Sequence, residues 1–95
     1  MGDMEIDPKR MSIKRGQYEA SISQRDLKLL VCLANNPDVV ITKDKLYNVG
    51  WGRDFMPNSR SLEQHILTLR NKIDPERKRA VLIETVHGQG YRYPK

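Results

Sequence analysis

Val81-Leu82-Ile83-Glu84-Thr85-Val86-His87-Gly88-Gln89-Gly90-Tyr91-Arg92-Tyr93 is the stretch that decides the architecture. Val81 to Val86 is the best strand candidate in the chain, and Tyr91-Arg92-Tyr93 is its return. His87 to Gly90 makes the turn between them, with glycine supplying the positive φ that a tight reversal needs. Gly88-x-Gly90 is not a phosphate loop of nucleotide-binding type, because it lies between two strands and no helix follows it. Ahead of this hairpin Asp74-Pro75-Glu76-Arg77-Lys78-Arg79 reads as a charged loop, and ahead of that loop lies a helix.

That helix is Ser59-Arg60-Ser61-Leu62-Glu63-Gln64-His65-Ile66-Leu67-Thr68-Leu69-Arg70-Asn71-Lys72-Ile73. At about 100° per residue, Leu62, Ile66, Leu69 and Ile73 form one apolar stripe. The opposite side carries Arg60, Gln64, Leu67, Thr68 and Asn71, where a solvated helix would carry Lys and Glu. Amides and methyl groups suit base edges in a major groove, and the flanking Arg60, Arg70 and Lys72 suit phosphates. The competing reading is an ordinary polar surface, and the helix alone does not choose between them.

The rest of the chain supplies a platform and two more helices. Residues Met4 to Ile22 read as short antiparallel strands broken by turns at Asp7-Pro8-Lys9-Arg10 and Arg15-Gly16-Gln17. Tyr18, Ala20 and Ile22 alternate with polar neighbours, as in a strand with one covered face. Ser23 caps the next helix, with Asp26 three residues on as a weaker relative of the capping box. Its apolar residues spread round most of the helix, which predicts burial on several sides. Asn35-Asn36-Pro37-Asp38 stops it. Val39-Val40-Ile41 allows a scrap of strand, and Thr42 caps a second helix from Lys43 to about Val49, with Leu46 and Val49 facing inward. Gly50 to Asn58 reads as an irregular connection, in which Trp51 packs and Phe55 or Met56 is more exposed.

Composition narrows the function. Seventeen Lys and Arg against 12 Asp and Glu give a formal +5, which favours a polyanionic partner, nucleic acid ahead of an acidic membrane surface. No apolar run approaches the ~20 residues of a membrane span. The acidic Met1-Gly2-Asp3-Met4-Glu5 has no signal core, so a cytoplasmic location is expected. One cysteine, Cys32, forms no internal disulfide and reads as a small core residue, and two distant histidines do not complete a metal site with it. No paired carboxylates and no nucleophile-base set point to an enzyme, a cofactor or a small-molecule substrate.

Three helices with a hairpin directly after the third make a winged helix-turn-helix, an α+β fold. The expected layout is one domain over residues 1–95, with the N-terminal antiparallel sheet at about 4–22, the helical core at about 24–73 and the hairpin wing at about 81–94. Trp51-Gly52, then Asn58-Ser59-Arg60-Ser61-Leu62-Glu63-Gln64-His65-Ile66 with Leu69-Arg70, and above all Glu84-Thr85-Val86-His87-Gly88-Gln89-Gly90-Tyr91-Arg92-Tyr93 resemble the DNA-binding output domain of OmpR/PhoB-type bacterial response regulators. The likeness runs from about Ile6 to Tyr93, nearly the whole chain.

The resemblance implies a four-stranded N-terminal sheet and a chain that binds promoter direct repeats as a head-to-tail homodimer on double-stranded DNA. By position, Gln64, Leu67, Thr68 and Asn71 read bases. Thr42, Lys43, Trp51, Arg60, Ser61, His65, Arg70 and Lys72 lie at phosphates, and Thr85 and His87 are the wing contacts. The connection containing Arg53, Asp54, Phe55 and Met56 is implied to meet RNA polymerase.

Family members often carry basic residues where this chain has Leu67 and Thr68, and Arg where it has His87. A reader of Gln64, Leu67, Thr68 and Asn71 favours adenine edges and thymine methyls, so an A·T-rich site is expected. Two alternatives stand beside this reading. One is a winged-helix protein-interaction module that binds no DNA, favoured by Leu67 and Phe55-Met56. The other is the DNA-binding domain of a ToxR-like membrane-anchored regulator.

Overall fold

A computed structural model describes residues 1–52 and 61–95. The order is β1 (Met4–Asp7), β2 (Ser12–Arg15), β3 (Tyr18–Ser21), α1 (Gln24–Ala34), β4 (Ile41–Thr42), α2 (Lys43–Trp51), α3 (Ser61–Ile73), β5 (Glu84–Val86) and β6 (Gly90–Arg92). β1, β2 and β3 form an antiparallel meander in that order. Ile13 lies opposite Ile6 on one side and Ala20 on the other, and Arg15 opposite Met4 and Tyr18. The N-terminal sheet therefore has three strands, where the resemblance implies four.

Period-2 patterning puts Ile13 and Arg15 on the buried face while Lys14 stays in water. A buried arginine needs its donors satisfied. Arg15, 1% exposed, donates from Nε to Asp3 Oδ1 (2.9 Å), from NH1 to the Ile73 carbonyl (3.1 Å) and from NH2 to the Ala80 carbonyl (3.1 Å). Tyr18 Oη donates to the Lys72 carbonyl at 2.7 Å. The orphan carbonyls at the end of α3 are thus capped by the meander, which does more than cover the helices.

The capping box of α1 is complete. Asp26 N–H donates to Ser23 Oγ (3.0 Å), and Ser23 N–H donates to Asp26 Oδ2 (2.9 Å). α1 buries Leu29, Leu30 and Leu33 but leaves Val31 in water, so one side is solvated and burial is narrower than the sequence implies. Cys32 is half-buried against the core, and burial raises its thiol above the ordinary value.

Thr42 caps α2, its Oγ1 accepting from Lys45 N–H at 3.1 Å. α2 runs through Gly50 and Trp51 to stop at Gly52, longer than expected, and Trp51 packs partly buried against the core. Gly50 packs closely on α1, where a Cβ would stand 3.3 Å from Leu29 Cδ2. Leu46 is fully buried, Val49 partly so.

Leu62, Ile66, Leu69 and Ile73 of α3 are all buried, as their spacing requires. β5, in contrast, covers only Glu84–Val86 of the expected Val81–Val86 strand. Leu82 and Ile83 are both buried, which an alternating strand cannot do for neighbours. The carbonyls of Ala80 and Ile83 accept instead from Arg15 and Arg70. The second sheet has the order β4-β6-β5, so the scrap at Ile41–Thr42 anchors the wing. Gly90 lies opposite Thr42, and a Cβ there would stand 2.0 Å from the Ile41 carbonyl oxygen. It is this close approach that demands glycine. Gly88, at φ +75°, supplies the positive φ of the turn closed by Gln89 N–H on the Val86 carbonyl.

Candidate nucleic-acid interface

α3 presents four different strips along its length. Its buried stripe faces the core, and directly opposite, Gln64, Leu67, Thr68 and Asn71 all stand in water, Leu67 at 51% exposure. The two margins between these strips carry the charged residues, and both are tied to other elements.

On one margin Lys72 Nζ donates to Asp26 Oδ2 at 2.7 Å, and His65 Nε2 lies 2.7 Å from Asp26 Oδ1. The second contact is a close approach without hydrogen-bond alignment, since neither atom has an aligned partner. Asp26 is 1% exposed. Its burial works against ionisation, but the Lys72 hydrogen bond, the Ser23 amide and the charges of Lys72 and His65 outweigh it, holding the carboxyl below its ordinary value. His65 and Trp51 meet in a T-shaped arrangement with ring centroids 5.6 Å apart, and the Arg25 guanidinium sits 4.3 Å from the Trp51 ring centroid while donating to the Gly50 carbonyl.

On the other margin Arg70 donates to the Ile83 carbonyl from Nε (3.0 Å) and NH2 (2.8 Å), and to Thr85 Oγ1 (2.8 Å). Its guanidinium lies 5.7 Å from the Tyr91 ring centroid. Burial lowers Arg70 from its ordinary value, and burial raises Tyr91. Two turns earlier Glu63 pairs with Lys43 of α2 at 3.1 Å, a hydrogen bond that raises the Lys43 ammonium. At the start of α3, Leu62 N–H donates to Tyr47 Oη of α2 at 3.0 Å, which satisfies one orphan donor of that first turn.

The sequence-predicted residues that the structure describes fall into three groups. Gln64, Leu67, Thr68 and Asn71 share the exposed strip of α3, while Thr85 and His87 are exposed on the wing, His87 in its turn. Thr42, Lys43, Trp51 and Ser61 lie around the α2 and α3 starts and the end of α2, Trp51 and Ser61 half-buried. His65, Arg70 and Lys72 are brought to the margins, but their polar ends already engage protein groups rather than standing free for phosphates. Arg53, Asp54, Phe55, Met56 and Arg60 lie outside the described residues. Sequence reasoning missed Asp26 as more than a cap, and it missed Arg15, Arg25, Tyr47 and Glu63. A buried-face arginine between Ile13 and Gly16 was the one local signal available. Among the described residues no group of three or more His, Cys, Asp or Glu could hold a metal ion, and no helix is long and apolar enough to cross a membrane.

An antiparallel platform, three helices and a hairpin tied to the third define the winged helix-turn-helix class. The family model for the C-terminal domain of transcriptional regulatory proteins matches residues 17–93, and the chain belongs to that OmpR/PhoB-type family, one of regulators rather than of enzymes. The heme response regulator HssR of Staphylococcus epidermidis is 33% identical over 92 residues, covering 97% of this chain and 41% of that protein. The chain thus spans about two-fifths of that relative's length. The Klebsiella pneumoniae RstA DNA-binding domain, solved in complex with its RstA box, is 26% identical with a TM-score of 0.79, covering 98% of this chain and 92% of that one. The DNA-binding domain of Escherichia coli CadC superposes with a TM-score of 0.85 at 24% identity, over 96% of this chain and 85% of that one, a likeness of fold.

Proposed function

We propose that this chain binds duplex DNA as the output module of a bacterial two-component transcription regulator, with α3 in the major groove and the wing in the adjacent minor groove. The observation that carries this reading is the uncharged, water-facing strip Gln64, Leu67, Thr68 and Asn71 on a helix whose other sides are all held by the protein. Gln64 and Asn71 are built for adenine edges, and Leu67 and Thr68 for thymine methyls. Thr42, Lys43, Trp51 and Ser61, with Arg60, follow the sugar-phosphate backbone. His65 and Lys72 reach it only with the donors that Asp26 leaves over, and Arg70 serves chiefly to set the wing. Thr85 and His87 meet the minor groove, where a protonated imidazole suits a narrow A·T tract. Binding as a head-to-tail pair on direct repeats, contact of residues 53–56 with RNA polymerase, and action in the cytoplasm complete the reading.

In vitro selection of bound duplexes tests it. Repeated A·T-rich half-sites about one helical turn apart are the expected result, and G-rich half-sites read by α3 would overturn the base assignment. The exposed Leu67 favours a second reading, a protein-binding module. That reading requires duplex titrations to show no salt-sensitive affinity, whereas DNA binding requires affinity to fall steeply with salt.

A further inference from the structure

Asp26 is the most deeply buried acidic residue among the described residues, and a helix cap does not explain all of its contacts. A capping box needs only the reciprocal bonds with Ser23, which Asp26 makes. Lys72 Nζ also donates to its Oδ2, and His65 Nε2 lies against its Oδ1, both from α3 and both at 2.7 Å. Lys72 lies 46 residues further along the chain. At the helical angle both α3 residues fall on one margin of the recognition helix, between the buried stripe and the exposed strip. A single carboxylate thereby fixes the rotation of α3 about its own axis, opposed on the far margin by Arg70 on the Ile83 carbonyl.

We propose that Asp26 is a positioning residue for base readout: by pinning His65 and Lys72 it sets the angle at which Gln64, Leu67, Thr68 and Asn71 face the DNA. The proposal rests on the DNA-binding reading. The groups around it are consistent with a clamp rather than a free charge. Ser23, Lys72 and His65 approach the carboxylate, while Trp51 closes over His65 and Arg25 lies on the Trp51 ring. A few degrees of helix rotation move the reading side chains out of bidentate reach of a base edge, but leave phosphate attraction nearly untouched. Asp26 therefore controls discrimination rather than overall affinity. Electrostatics alone predicts the contrary, since removing an anion should strengthen binding to every duplex equally.

Asp26→Asn separates the two, because an amide keeps an acceptor for Ser23 N–H but gives up the charge. Affinities of the wild type and Asp26→Asn would be measured for the duplex that selection recovers and for a scrambled duplex. The cognate-to-scrambled ratio should fall about tenfold or more, with scrambled affinity unchanged or higher, the scale of losing one good base contact. Trp51, the sole tryptophan, should change its emission as His65 leaves its T-shaped contact with the indole. Asp26→Glu, which retains the charge, should restore most of the ratio. The double variant His65→Gln/Lys72→Met removes the clamp from the α3 side without touching the cap. It should lower the ratio alone, and adding Asp26→Asn to it should change the ratio by less than about twofold, as two members of one network do. A ratio that stays constant in Asp26→Asn, or an undiminished further loss in the double-variant background, overturns the clamp. A wild type that does not distinguish the two duplexes overturns the DNA reading itself, a result recognisable before any variant is made.

Discussion

Arg70→Ala separates two roles for the same cation. The sequence places Arg70 among the phosphate contacts, and a phosphate contact predicts a mild variant: binding falls across all sequences and the salt slope drops by about 1, with stability intact. The structure gives it other work. Its guanidinium sends two N–H groups to the Ile83 carbonyl, at 3.0 and 2.8 Å, and a third bond to Thr85 Oγ1 at 2.8 Å. Ile83 is 1% exposed and lies outside the ladder of β5, so its carbonyl has no strand partner to fall back on. Truncating one partner so that a buried carbonyl loses its donor costs about 1–3 kcal/mol, and a charged donor places this case in the upper part of that range. The Thr85 bond is exposed and adds little, so a loss of about 2–3 kcal/mol is expected. For a domain of this size that is a fall of roughly 10–20 °C in melting temperature. Thermal unfolding by circular dichroism measures it directly, and amide shifts at Thr85 and Val86 report whether the wing has moved. Duplex titration over a range of salt supplies the other half. A variant that melts with the wild type and loses only salt slope would refute the anchoring role and restore the phosphate assignment.

Gly90→Ala places a Cβ 2.0 Å from the Ile41 carbonyl oxygen, so β4 and β6 must separate; loss of Thr42 and Gly90 amide protection with a large drop in denaturation midpoint is expected, and a near-native midpoint would show that the contact yields easily. Gln64→Ala should cost about 1–3 kcal/mol at one base position and blur preference there, read by competition with single-base variants of the selected site, while melting stays put. Acid should release the Asp26 clamp. Its folded carboxyl lies below the ordinary 3.8, so its contribution is complete above that value and disappears as pH falls through the folded pKa. Urea midpoints of wild type and Asp26→Asn should therefore converge as the pH is taken progressively below 3.8, and a gap that stayed constant would remove ionisation from the account.

What the sequence made legible was whatever is decided within one or two turns of chain. The stripe Leu62, Ile66, Leu69 and Ile73 follows from periodicity, the box at Ser23 and Asp26 from spacing, and the Gly88 turn from backbone freedom. What failed depended on partners far along the chain. Val81 to Ile83 has strand composition, yet the Ala80 carbonyl just before it and the Ile83 carbonyl at its end accept from Arg15 and Arg70, and two adjacent residues are buried at once. Gly50 and Trp51 look like breakers, but packing on Leu29 and against the core carries α2 through them. Burial of Arg15 could not be read from Ser12–Arg15 alone, because its justification lies 58 residues away at the Ile73 carbonyl.

The same distance effect changes what the charge of the chain means. A formal +5 suggests a surplus of cations waiting for phosphate. Yet Lys43 faces Glu63, Lys72 faces Asp26, Arg15 faces Asp3, and Arg70 is committed to a carbonyl. Those cations are placed to hold helices and wing in register, and two of them, Arg70 and Lys72, sit on α3 beside the strip that faces outward. In such a design the electrostatic attraction for a polyanion is modest at the recognition helix itself, and orientation is the quantity that the charged residues secure. Specificity should then respond to mutations at the margins of α3 more sharply than overall affinity does, the reverse of what a count of Lys and Arg suggests.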